Sequence, residues 1–318
     1  MVRAGGTLPT ERNRLTSAPP AALLVLAIVS CGGEQANPSP ERSGSTAEPQ
    51  QAVQVTMQPE DSVIFAERMA WAQEQRLDTL PMGETVAALG RTFVGAPYTP
   101  ATLELEGPER LIVNLRELDC VTFVENMLAL ARVLHAGTPD FDSFKHELVR
   151  IRYRDGVLTG YPSRLHYFSE WIANNEEKGI VDDVTAELGG VPDTGDISFM
   201  TRHVEAYRQF SDTAVAAAIG VIELELSGRE RFYIPENAIA GVAGGIRDGD
   251  IIAATSTLDG LDVAHTGIAL RVGDELHLMH APLVGSHVQI SERPLAERLQ
   301  GIEAQDGIMV ARPSGVVR

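Results

Sequence analysis

The chain has 318 residues, 44% of them hydrophobic and 22% charged, with a formal net charge of -18, a composition that supports a sizeable folded core. So acidic a surface repels phosphate backbones, which argues against nucleic acid as a partner and otherwise reads as a solubilising exterior. The imbalance is greater beyond residue 31, because the first 31 residues carry Arg3, Arg12 and Arg14 against Glu11 alone.

Residues 21–29 read AALLVLAIV, behind a basic stretch and ahead of Ser30 and Cys31. This is the apolar core of a signal peptide, too short to span a bilayer as a helix. The segment LAIVSC resembles the lipobox of bacterial lipoproteins, with Ile28 where leucine is commoner. That resemblance implies a signal peptide over residues 1–30 and a lipid on Cys31, an uncleaved anchor being the alternative. GGEQANPSPERSGSTAEPQ has no large apolar residue and reads as a disordered tether within 31–58. A single domain is then expected over 59–318. If Cys31 is lipidated, the other cysteine, Cys120, has no disulfide partner, and an unpaired thiol in an exported protein suggests use.

EDSVIFAERMAWAQEQ has helical spacing, and a second short helix is expected from Met82. DCVTFVENMLALARVLH is apolar nearly all round, which places that helix inside the domain. A charged helix over Phe141 to Arg150, a short strand at Ile151 to Tyr153 and a helix over Leu165 to Ile172 follow. NNEEKGIVDDVTAELGGVPDTG reads as surface loop. A helix from Phe199 to Ala217 then leads to the strands VIELEL, RFYIP, DIIAAT, HTGIALRV, ELHLMHA and Gly307 to Ala311. Helices first and antiparallel strands afterwards predict an α+β fold.

Cys120 follows Asp119 at the first turn of the buried helix, where the helix dipole should ease ionisation of the thiol. HTGIALRVGDELHLMH supplies histidines on a hairpin turning at Gly273 and Asp274. Val272 then faces Glu275 and Leu270 faces His277, so His265 and His280 share a face that His277 does not. Small Gly267 and Ala269 beside His265 leave room for the helix carrying Cys120. The expectation is Cys120 as nucleophile, His265 as general base and His280 as the group orienting its ring, with Asp262 a rival for that last role. A zinc reading is weaker, because His277 and His280 on a strand point opposite ways, so no metal or other cofactor is expected. Arg164, Tyr167 and Trp171 share a helix face, and Arg164 and Tyr167 are candidates for binding substrate.

The order GAPY (Gly95 to Tyr98), DC (Asp119, Cys120), GD (Gly249, Asp250), HTGI (His265 to Ile268) and MHA (Met279 to Ala281) resembles the NlpC superfamily of papain-like cell-wall hydrolases. LDCVTFVEN, SRLHYFSEW and GLDVAHTGIAL resemble its N-acetylmuramoyl-L-alanine amidase-like family. Val121 and Thr122 follow the cysteine where Ser-Gly is usual in the wider superfamily. The resemblance implies a papain-like fold with extra helices and a cysteine amidase acting on peptidoglycan or muropeptides, cutting between N-acetylmuramic acid and L-alanine or within the stem peptide. A zinc amidase and a non-catalytic peptidoglycan-binding lipoprotein are the other readings. The expected protein is monomeric and lipid-anchored on the periplasmic side of the outer membrane.

Overall fold

A computed structural model describes residues 53–283 and 286–316. The expected signal peptide, Cys31 and the tether as far as residue 52 lie outside the described residues. Val55–Thr56 (β1) pairs in parallel with Leu111–Ile112 (β2), so the last residues of the expected tether are part of the fold. Helix α1 is Pro59–Glu74 and α2 is Met82–Arg91, both where helical spacing placed them.

Helix α3, Cys120–His135, is buried from Thr122 to Leu134. Its start is fixed by a reciprocal cap: the Thr122 amide donates to Asp119 Oδ1 at 2.8 Å and the Asp119 amide to Thr122 Oγ1 at 2.9 Å. The charged side chains buried in this apolar helix are paired. Arg152 donates to Glu125 at 2.6 Å and to the Ile112 carbonyl at 2.7 Å, and Arg132 pairs with Glu147. Both side chains of the Glu125 and Arg152 pair are 2% exposed. Replacing Arg152 with methionine is therefore expected to cost about 3–5 kcal/mol in urea unfolding, because Glu125 would be left charged and alone. Adding Glu125→Leu should restore much of that loss.

Helix α4, Phe141–Arg152, continues through the expected strand at Ile151, leaving only an isolated bridge between Tyr153 and Arg164. Helix α5 is Phe168–Glu177, later than expected, because Asp262 accepts from the Ser169 amide at 2.7 Å and caps it there. Arg164 and Tyr167 thus precede the helix instead of sharing its face. The expected loop contains Val181–Asp183 (β3) and Val191–Asp193 (β4), both strands of the sheet. The expected Phe199 to Ala217 helix is broken into α6, Phe199–Arg202, two 3-10 turns, and α7, Thr213–Ser227. Helix α7 absorbs VIELEL, the expected strand. Asp212 caps it, and Ile219, Glu223 and Leu226 recur on its buried side while Leu224 is 75% exposed.

The remaining elements are β5 (Arg231–Pro235), α8 (Ile239–Val242), β6 (Ile251–Ser256), β7 (Val263–Val272), β8 (Glu275–His280), β9 (Gln289–Ile290), α9 (Leu295–Gln300) and β10 (Gln305–Pro313). Among the described residues the sheet runs β4-β5-β10-β6-β7-β8-β9, with β3 also on β10, and its pairs are antiparallel. The architecture is α+β. Ile268, Leu270 and Met279 join the core built around α3, whereas Ala269, Leu276 and Leu278 pack with Leu295 and Leu299 of α9. Gly249 has φ +85, and a Cβ there would lie 1.8 Å from the Gly83 carbonyl oxygen, so only glycine lets α2 approach the start of β6.

Candidate active site

The hairpin register is the expected one: Val272 faces Glu275 and Leu270 faces His277. A positive-φ glycine, Gly273 (φ 62), makes the two-residue turn. His265 and His280 consequently meet, Nε2 of the first 2.6 Å from Nδ1 of the second, with the rings edge to face. His277 is directed elsewhere, its Nδ1 2.8 Å from the Ser291 carbonyl. Asp262 is engaged in capping α5 and its carboxyl is pushed up by burial against the hydrogen bonds from Ser169. Among the described residues, no group of three or more His, Cys, Asp and Glu could hold a metal ion.

The room beside His265 is not where α3 goes. The strand face carrying Gly267 and Ala269 is covered by β8 side chains and α9, and α3 packs on the face of Ile268 and Leu270. Alternation puts His265 and Thr266 on opposite faces of β7, and the slip in the β6 and β7 pairing between Ala254 and Thr255, which leaves Ala264 as an extra residue, precedes both, so His265 borders a different cleft from Cys120. The start of α3 reaches the strand at this irregular end. Thr266 Oγ1 donates to the Cys120 carbonyl at 2.9 Å, and Thr266 and Val121 lie near enough to the thiol to favour its ionised form. The strand residue near the sulfur is thus the one bonded to His265.

Cys120 is half-buried in a cleft of roughly 350 Å³ that also holds Tyr98, Glu104, Arg164 and Tyr167. Both candidate binding residues therefore border the cysteine's cleft. Arg164 is paired with Glu104 at 2.6 Å and Glu109 at 3.4 Å. The Tyr167 hydroxyl is turned inward, donating to Glu223 at 2.6 Å and accepting from the Met200 amide at 2.9 Å. Trp171 is fully buried and stacks on Phe168, which makes it a core residue. The histidine pair borders a separate cleft with Gln289, Arg293 and Arg298.

Thr266 and Tyr98 were not singled out in the sequence, although both stand inside motifs already noted, HTGI and GAPY. Tyr98 is positioned by its amide on the Ser286 carbonyl and by a bridge to Leu118. Its phenol is raised by burial and by the nearness of Cys120 and Asp119.

The expected easing of thiol ionisation is not what the environment produces. Burial, then Asp119, push Cys120 up to about 11, against the hydrogen bonds from Thr266 and Val121. Burial, reinforced by Arg298, holds His265 down at about 3, and burial, with His265 and Arg298 nearby, holds His280 at about 2. Near neutrality the Cys120 thiol and both imidazoles are therefore neutral.

These depressed values carry a stability consequence. Below the ordinary histidine value of 6.5 the unfolded chain takes up protons that the native pair refuses, so stability present above that pH is lost as pH falls toward 3. Each ring costs up to ~1.4 kcal/mol per pH unit. Melting scans from pH 7 to pH 4 should show this fall, and the double variant His265→Gln, His280→Gln should lose its part of the slope. His166, buried beside Arg164 and also held well below the ordinary value, keeps its own.

The family model for N-acetylmuramoyl-L-alanine amidase-like proteins (AmiA-like) matches residues 88–308. A structure of a Bacteroides uniformis N-acetylmuramoyl-L-alanine amidase is 37% identical, covers 73% of this chain and 99% of its own, and superimposes with a TM-score of 0.70. A Bacteroides fragilis structure described as a candidate xylanase is 39% identical over 70% of this chain and 98% of its own, TM-score 0.67. A Legionella pneumophila structure at 19% identity, covering 80% of this chain and 97% of its own, shares the fold with a TM-score of 0.58. No curated protein matches the chain. The matched span covers most of the described fold, both clefts and the histidine pair, and the chain belongs to the N-acetylmuramoyl-L-alanine amidase-like family.

Proposed function

We propose that this amidase-like hydrolase is a cysteine enzyme of the papain-like NlpC type, cleaving the amide between N-acetylmuramic acid and L-alanine in peptidoglycan or muropeptides. The observation that carries this reading is the bond of 2.9 Å from Thr266 to the Cys120 carbonyl, which ties the start of α3 to the residue next in the chain to a histidine whose ring is held by a second histidine at 2.6 Å. With Nε2 of His265 engaged by His280, Nδ1 is the ring nitrogen left for the thiol.

In the mechanism that follows, His265 Nδ1 takes the thiol proton as the sulfur adds to the amide carbonyl carbon. The Thr122 amide is held by Asp119 Oδ1 and the Phe123 amide by the Asp119 carbonyl, so the oxyanion falls to the Cys120 amide at the helix start. His265 then gives its proton to the leaving amine as the C–N bond breaks. Water, losing a proton to the same ring, adds to the thioester, and the acid leaves as the thiol is regenerated.

The xylanase name of one neighbour suggests a glycosidase, which needs two carboxylates poised across a glycosidic bond. The acids of the Cys120 cleft are otherwise engaged: Glu104 with Arg164, Glu125 with Arg152, and Asp119 in the helix cap. This favours amide chemistry. We extend the proposal to the chain's setting: a signal peptide over 1–30, a lipid on Cys31, a tether, and a monomeric domain facing the periplasm from the outer membrane.

The test is mass spectrometry of defined muropeptides incubated with the protein. N-acetylmuramic acid and an intact stem peptide should appear, disappear after iodoacetamide treatment, and persist with a chelator. Loss of product with the chelator alone would replace this reading with a zinc amidase. Cleavage inside the stem peptide would make the enzyme an endopeptidase.

A further inference from the structure

One ring nitrogen of the histidine pair is unaccounted for. If His265 accepts the thiol proton at Nδ1, its Nε2 bears hydrogen and donates to His280 Nδ1 across 2.6 Å. Neutral His280 then carries its own hydrogen on Nε2. That atom is buried, on a side chain 2% exposed, and has no partner among the described residues. His280 borders a cleft of roughly 730 Å³ together with Arg298. Arg298 is half-buried and forms no ion pair among the described residues; its hydrogen-bond partner is Gln305 Oε1, at 3.4 Å. It lies close enough to act on both imidazoles. A guanidinium without a counter-ion beside a buried N–H without an acceptor is complementary to a carboxylate.

The Cys120 cleft is the opposite case. Arg164 is neutralised by Glu104 and Glu109, and Arg152 by Glu125. That cleft suits an uncharged group. Resting on the function proposed above, we infer that the His280 and Arg298 cleft is a subsite for a carboxylate of the leaving stem peptide, while the acyl half lies in the Cys120 cleft. Chemistry sets the direction. The sulfur keeps the acyl half and His265 protonates the amine half, and in a muramoyl amide the lactyl carboxyl is consumed by the scissile bond, so free carboxylates sit on the peptide.

The test uses the Cys120→Ala chain, which should bind without turnover, and two probes: a defined muramoyl peptide and the same peptide with its carboxylates amidated. By calorimetry, Arg298→Gln and amidation should each weaken binding by about tenfold to hundredfold, and together no more than either alone. Arg298→Lys should recover part of the loss. Equal weakening of both peptides by Arg298→Gln, or weakening of neither, overturns the subsite. In the otherwise native chain, Arg298→Gln should raise KM for the acidic peptide with kcat largely kept; a fall in kcat at unchanged KM also counts against it. Failure of the cysteine mechanism would appear separately, as full activity of the Cys120→Ala chain, with the discrimination between the two peptides in binding still deciding the subsite.

Discussion

Cys120→Ala is expected to lower kcat on a muropeptide by about a millionfold, roughly 8 kcal/mol of transition-state stabilisation. Without the sulfur there is no acyl-enzyme, and the remaining groups can only orient a water. Folding should survive. The side chain is half-buried, its carbonyl still accepts from Thr266, and the helix cap between Asp119 and Thr122 does not involve it. The comparison is made by single-turnover kinetics alongside urea unfolding, and full activity with native stability would end the cysteine mechanism.

The second large effect is expected at His265. In the native protein the thiol near 11 and the imidazole near 3 leave both groups neutral over the intervening range, so kcat/KM should be flat from about pH 5 to about pH 9. On the proposed mechanism the base acts during attack and no ion pair is stored beforehand. His265→Gln removes the acceptor for the thiol proton, and kcat should fall about ten-thousandfold or more at pH 7. Its residual rate should then rise about tenfold per pH unit on the alkaline side, because only Cys120 that has already lost its proton to bulk solvent can attack. A flat residual profile in that variant would show that the proton leaves the sulfur by another route.

Much of this site was legible from residue order alone because its parts are local. The turn at Gly273 and Asp274 fixes the register of two strands, and register fixes which histidines meet. A cap residue followed by an apolar run fixes where α3 begins. What was hidden depends on partners far away in the chain. VIELEL alternates like a strand, yet the Glu223 carboxylate accepts from Tyr167 and from Thr201, contacts that only a helix at that place can make together. Leu165 to Ile172 looked continuous until Asp262 set its first turn. The side of the sheet on which the cysteine helix packs could not be read from small residues, since Gly267 yields its space to Leu278 of the adjacent strand and not to a helix. The thiol's environment followed the same pattern: a helix start favours an anion, but enclosure is a property of the whole cleft.

The sheet's order has a temporal meaning. Strand β10 is the spine: β6 lies along one side and β5 and β3 along the other, yet it follows all of them in the chain. During synthesis, therefore, earlier strands wait without their central neighbour, and a topology so rich in distant pairings closes slowly. Cys120 is made long before that scaffold, so on the proposed mechanism a nascent molecule carries its sulfur in an idle state until nearly the whole polypeptide is present.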